Sequence, residues 1–324
     1  MNYNEHYSNI KSVFQELDLV KESEFSLFKD SISAQEIINL CIQLSENASK
    51  KLNINLNFGV VYSQKFNACA KTKNNSAVII FNLGLIDKQE AISSDSAEIF
   101  ASLSFQSNNQ NSLNAIVKSC CITYLFYHEL AHVLHLLKFN SNSEFSLQEK
   151  YSNEECFEIR NHIYEIDADR FGASMAAHLL LEKIMNSDYK FETMLLFNTL
   201  TLLLFSIGNT IIEFSGNQFQ NIYYKENSHP HPYIRIVMCN EQILSFFHKN
   251  INASSQLLEL ALQRAGNMIK QITYSDGRKV DYEKLFSTNE QEISNYIDEI
   301  ENLYDNYTEL TKHKAQQIFN SLSN

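Results

Sequence analysis

Apolar positions at helical spacing dominate the chain. Ile37, Ile38, Cys41, Leu44, Ala48 and Leu52 recur at intervals of three and four, and Ser33 with Glu36 has the spacing of a capping box, which predicts a helix beginning near Ala34. The pattern then changes period. Ile54, Leu56, Phe58, Val60 and Tyr62 alternate with polar or small residues, and Ala77, Val78, Ile79, Ile80 and Phe81 form an apolar, partly β-branched run, with Asn74 and Asn75 as a turn between them. These predict two strands, the second closed by Gly84. Helical character returns over 88–103, and the polar stretch 106–114 has the composition of a loop. From about 112 to 139 a long helix is apolar on nearly every face and belongs at the centre of a core. After a polar segment, 140–152, a second helix runs through Leu181. An uncharged helix over 193–212, a loop over 216–231 and further helices follow. Near the C-terminus Ile293, Ile297, Ile300, Leu303, Tyr307 and Leu310 form a seam suited to intramolecular packing.

Composition sharpens this outline. Only 7 glycines and 2 prolines in 324 residues leave too few turn residues for a strand-rich fold, so the class is mainly α with a small β-sheet (α+β). No repeat or Gly/Pro/Ser-rich linker divides the chain. A formal charge of −12 disfavours a polyanionic partner, which excludes general nucleic-acid binding. Six cysteines without a CxxC pair fit reduced thiols in a cytoplasm, and the N-terminus lacks a signal-peptide pattern. The stretch 193–212 is long enough to cross a bilayer, but Asn198, Thr199, Thr201, Ser206, Asn209 and Thr210 are costly in hydrocarbon, so a buried core helix is the expectation and a membrane partner is not.

Within the central helix stands His128-Glu129-Leu130-Ala131-His132. At 3.6 residues per turn both imidazoles face the same way and can reach one metal ion, with Glu129 beside them, the H-E-x-x-H spacing of zinc hydrolases. Two unpaired core histidines would be the bland alternative, at a desolvation cost that a cation removes. A catalytic zinc needs a third protein donor. Positions 135 and 138 are His and Lys rather than the Gly and His of metzincins. Glu165 and Asp169 share a face of the next helix, with Asp167 pointing the other way, towards solvent. Glu165 is thus the candidate ligand and Asp169 the candidate partner for a ligand histidine's second nitrogen.

In these motifs the chain resembles the gluzincin metallopeptidases, HExxH plus a downstream ExxxD, and most the CAAX prenyl protease and heat-shock peptidase branch. Asn67-Ala68-Cys69-Ala70 resembles that branch's Asn-Ala-Phe-Ala turn, and 78–85 its strand ending in Gly-Leu-Leu. His229-Pro230 followed by Arg235-Ile236 resembles its His-Pro-(x)4-Arg-Ile element. The acidic chain also resembles the phage-exclusion Lit-type peptidases in general character. The resemblance implies a zincin-like core, set here at 53–250 between helical regions 1–52 and 251–324; the segment 88–114 is longer than that branch places before the active helix and is expected to act as a lid or trigger-sensing insertion. It implies one zinc ion on His128, His132 and Glu165, Glu129 as general base and His229 as transition-state donor. Asp169 and Arg235 would brace the ligands, and Ala77 to Phe81 would form the edge on which an extended protein or peptide substrate pairs. The implied activity is a zinc endopeptidase of the cytoplasm, restrained until an activating protein or peptide triggers it. A catalytically inactive zinc scaffold and a membrane-anchored protease of the same family are the alternatives.

Overall fold

The computed structural model describes residues 2–73, 76–104, 110–139, 145–148, 159–185, 193–215, 222, 224–225, 227, 229–275, 282–306 and 314–321. The fold is mainly helical with a small mixed sheet. Two compact units account for it: one made of Met1–Ile92, Leu125–Lys150 and Thr308–Asn324, the other of Ser93–Tyr124 and Tyr151–Tyr307.

The first unit is built on strands β1 (Asn55–Val61), β2 (Ala68–Lys73), β3 (Ser76–Asn82) and β4 (Phe145–Gln148), in the order β1-β3-β2-β4. β1 runs parallel to β3, with Phe58 opposite Ile79, and β2 is antiparallel to both β3 and β4. The run 77–81 is therefore not a substrate edge, because β1 and β2 take up both of its hydrogen-bonding sides. Its continuous apolar sequence has the same cause: every residue of β3 is buried, as in a central strand covered on both faces. The segment resembling a turn, Asn67 to Ala70, is likewise strand from Ala68 onward.

Helix α1 (Tyr3–Val13) starts at a capping box formed by Asn2 and Glu5. It covers one sheet face, where Ile10, Phe14 and Leu19 pack on Val78 and Ile80. It also closes the outer edge of β1. His6 Nδ1 accepts from the Phe58 amide at 3.3 Å, Tyr3 Oη accepts from Val60 N at 3.2 Å, and Val20 N donates to Val60 O at 2.8 Å. An exposed strand edge is thereby avoided. Helix α2 (Ser31–Leu52) begins three residues before the expected start. Asp30 caps it, accepting from Ile32 N and Ser33 N, while Ser33 is buried and bonds Glu90. The short terminal helix Ala315–Ser321 belongs to this unit too, with Phe319 against the Tyr127 ring and under Lys51 Nζ.

Helix α3 (Leu83–Ser104) follows β3 directly, so Gly84 opens a helix rather than closing a strand. Its amide donates to Ser63 O at 2.8 Å, and a Cβ there would stand 2.2 Å from the Gln64 carbonyl oxygen. Of the segment 88–114 read as a lid, 105–109 lie outside the described residues, and what precedes and follows is helix. Helix α4 (Gln110–Phe139) contributes to both units by its residue range.

The second unit also contains α5 (Ile159–Met185), α6 (Thr193–Ser215), α7 (Pro232–Ile251), α8 (Ser255–Ser275) and α9 (Tyr282–Asn306). Over Thr193–Phe214, α6 is long and apolar enough to cross a membrane, and 83% of its most apolar 18-residue window is buried inside the protein. Its hydroxyl groups are accommodated locally. The hydroxyls of Thr199, Thr201, Ser206 and Thr210 donate to carbonyls one turn back, those of Leu195, Phe197, Leu202 and Ser206. Gly208 lets α8 approach, since a Cβ would lie 2.6 Å from Ile269 Cδ1.

The tight crossing at Gly84 yields a stability prediction. Gly84→Ala forces the added methyl against a backbone oxygen rather than a flexible side chain. Urea unfolding should show a loss of roughly 1–3 kcal/mol, and an unchanged midpoint would show that the loop of Gln64 simply moves aside.

Candidate metal centre

Apolar neighbours fix the central helix around its polar face. Leu130, Ala131, Val133 and Leu134 are all buried, and between them His128, Glu129 and His132 are buried as well. One turn apart, the two imidazoles meet at right angles, with centroids 4.8 Å apart and an interplanar angle of 80°. Their Nε2 atoms stand 3.1 Å from each other. Glu165 joins them: one ligand atom from each of His128, His132 and Glu165 lies within 4.8 Å of the others, and all three residues are buried. The donor set fits a zinc ion. Two nitrogens each about 2.05 Å from one tetrahedral zinc stand about 3.3 Å apart, close to the spacing seen, and two imidazoles plus a carboxylate is a known catalytic ligand set. Glu129 makes its charge felt on β2, where burial first and the Glu129 carboxylate second push the Cys69 thiol up to about 12.

Helix α5 holds Glu165 and Asp169 one turn apart, and α7 supplies their cation. Arg235 is buried and donates to Asp169 through two nitrogens, Nε to Oδ2 at 2.8 Å and Nη2 to Oδ1 at 2.9 Å. The same Nη2 lies 3.6 Å from Glu165 Oε2, attraction without a full hydrogen bond. Tyr124, one turn before His128 on α4, donates its hydroxyl to Asp169 Oδ1 at 2.6 Å. Burial and then the Asp169 charge hold the Tyr124 pKa well above its usual value, so it remains a donor. Cys239 is raised for the same two reasons, in the same order.

The start of α7 places His229. Pro232 occupies the first turn, where no amide is needed, and His231 caps the helix, its Nδ1 accepting from Tyr233 N at 3.1 Å. His229, just upstream and buried, brings Nε2 to 3.7 Å from Glu165 Oε1. Asp167, expected to face solvent, is buried instead. Helix α9 covers that side, and Tyr304 donates to Asp167 Oδ1 at 2.6 Å. Arg170 pairs with Glu301 beside it and with the Tyr304 ring. His162 is also buried, between Tyr296 of α9 and the Asn227 carbonyl oxygen, 2.8 Å from its Nε2.

The structure thus brings together His128, His132 and Glu165, and around Glu165 it assembles Asp169, Arg235 and His229. Ala77 to Phe81 lie instead in the interior of the sheet. Sequence reading missed Tyr124, although a tyrosine one turn ahead of the first histidine was a visible signal. It also missed Tyr296 and Tyr304, whose partners on α5 are far away in sequence and could not be paired from it. Comparison of the chain with family models, with curated proteins and with solved structures finds no match.

Removing the Asp169 cation should be severe. Arg235→Met leaves a buried carboxylate without its charge partner and should cost about 3–5 kcal/mol of unfolding free energy, much of it recovered when Asp169→Leu is added. Purely additive losses in urea titrations would count against this coupling. A second prediction concerns acid. Burial lowers the His162 pKa from 6.5 to about 4, so below pH 6.5 the unfolded chain binds a proton that the folded one refuses. Stability should therefore fall between about pH 6.5 and 4, by on the order of 3 kcal/mol, and His162→Gln should flatten that decline.

Proposed function

We propose that the protein is a zinc-dependent endopeptidase that hydrolyses peptide bonds in a protein substrate. The observation that carries the reading is the buried cluster of two imidazole donors and one carboxylate donor, with a further buried carboxylate, Glu129, beside the first histidine on the same helix. A zinc ion held by His128, His132 and Glu165 would supply a Lewis acid able to bring the pKa of water down to about 7.

The chain's own residues would do the rest. Glu129 takes the proton of the attacking water and returns it to the leaving amine. His229, set beside Glu165, donates a hydrogen bond to the oxyanion that develops on the scissile carbonyl. Arg235 holds Asp169 and leans on Glu165, which keeps the Glu165 carboxylate aimed. The inactive-scaffold reading is disfavoured by Glu129, because a structural site would leave its buried carboxylate without work to do.

The proposed setting is a reducing cytoplasm, supported by five buried or half-buried cysteines among the described residues that are all free thiols. The chain's acidity supports a protein partner over a nucleic acid. A peptidase in that compartment needs restraint, and 88–114, which leads along the chain into the helix of the proposed active turn, is the segment we assign to it, with an activating protein or peptide as its trigger.

Metal analysis tests the core of the proposal. Wild type and Glu129→Gln should each bind about one zinc per chain while only wild type cleaves an unfolded protein such as reduced casein, and Glu165→Ala should lose most of its zinc. Full zinc content in Glu165→Ala would remove Glu165 from the ligand set, and unimpaired cleavage by Glu129→Gln would remove the proposed base.

A further inference from the structure

We infer that His162 is a positioning residue for His229: held by Tyr296, it pins the Asn227 carbonyl and so fixes the loop from which His229 reaches Glu165. The inference rests on the reading of His229 as a transition-state donor. Its geometric part, that His162 determines where the His229 ring stands, can be measured separately.

Three observations converge on it. First, the hydrogen-bond pattern of His162 requires a proton on Nε2. A carbonyl oxygen only accepts, so the 2.8 Å contact to Asn227 O places the proton on Nε2. Burial keeps the ring neutral near pH 7, with its pKa drawn down to about 4, so Nδ1 carries a lone pair and accepts from the Tyr296 hydroxyl. The Nδ1–H tautomer would set two acceptors against each other at Asn227.

Second, His229 hangs between two fixed points. Upstream, Asn227 is two residues away, and at roughly 3.3–3.6 Å per residue its carbonyl confines His229 to a small volume. Downstream, His231 caps α7 and Pro230 and Pro232 restrict the intervening backbone. With the first anchor removed, the loop can swing about the second.

Third, α9 grips the same loop beside the anchor. Lys225 Nζ meets Glu299 at 2.7 Å, and the Tyr224 ring lies 5.5 Å from that of Tyr296. The helix also holds α5, through Tyr304 on Asp167 and Glu301 on Arg170. One element therefore fixes both the helix that carries Glu165 and the loop that carries His229, and His162 is where the two attachments meet.

The experiment uses full-length, zinc-loaded protein labelled with 15N-histidine. Ring signals in long-range 1H–15N spectra should identify His162 as the neutral Nε2–H tautomer. In His162→Ala the His229 ring signals should shift or broaden while the zinc content stays at about one per chain. His162→Gln, whose amide can donate to Asn227 O and accept from Tyr296, should restore them, and Tyr296→Phe should disturb them less than His162→Ala does. In cleavage assays His162→Ala should lower kcat about 10- to 100-fold with little change in KM. In a His229→Ala background the same substitution should cost nothing more. An Nδ1–H tautomer at His162, unchanged His229 signals in His162→Ala, or losses that multiply in the double variant would each overturn the inference. Should His162→Ala fail to fold, the spectra of His162→Gln and Tyr296→Phe carry the same decision. A protein that binds zinc but cleaves nothing would end the peptidase reading, and the spectra would still decide whether His162 places His229.

Discussion

Three buried carboxylates within five positions of one helix are the constraint on which this structure turns. Glu165, Asp167 and Asp169 all lie out of water on α5, and an isolated ionised carboxylate in such surroundings costs many kcal/mol. Each must be met by groups of opposite polarity. Asp169 takes the Arg235 guanidinium and the Tyr124 hydroxyl, Asp167 takes Tyr304, and Glu165 faces Arg235, His229 and the two imidazoles of the metal cluster. The helices packed on α5 are thus chosen as much by charge as by apolar fit.

That accounting separates structural from chemical roles. Asp167 and Asp169 are satisfied at hydrogen-bond distance. Glu165 stands 3.6 Å from Arg235 Nη2 and 3.7 Å from His229 Nε2, and it offers a donor atom to the group that could hold a metal ion with His128 and His132. The same logic explains why a ring as polar as His162 sits in the core. Both of its nitrogens have partners of the right polarity, and one of them is the backbone that leads to His229.

Much of the site was legible along the chain because it depends on helical period alone. His128 and His132 share a face by their spacing, as do Glu165 and Asp169, and neither fact needs a tertiary structure. The sheet was harder to read. A continuous apolar run such as 77–81 states that a strand is covered on both faces, but not which strands lie beside it, and here β1 and β2 take both sides. Asp167 misled for a related reason: an acidic residue on the far face of an amphipathic helix reads as solvated unless the sequence reveals the tyrosine that will cover it, and Tyr304 is far downstream.

By itself, then, the order of residues determined the helical class, the apolar character of α6 and the two pairs of polar side chains one turn apart, all consequences of local geometry and composition. Only the tertiary structure decided that Arg235, Tyr124 and Tyr304 are the groups that meet the buried acids, that β3 is interior, and that the Asn227 carbonyl ends on His162. Such pairings join segments whose separation along the chain carries no periodic signal. They are selected by the cost of leaving a charge or a polar group buried without a counterpart, and that cost acts only once the helices have come together.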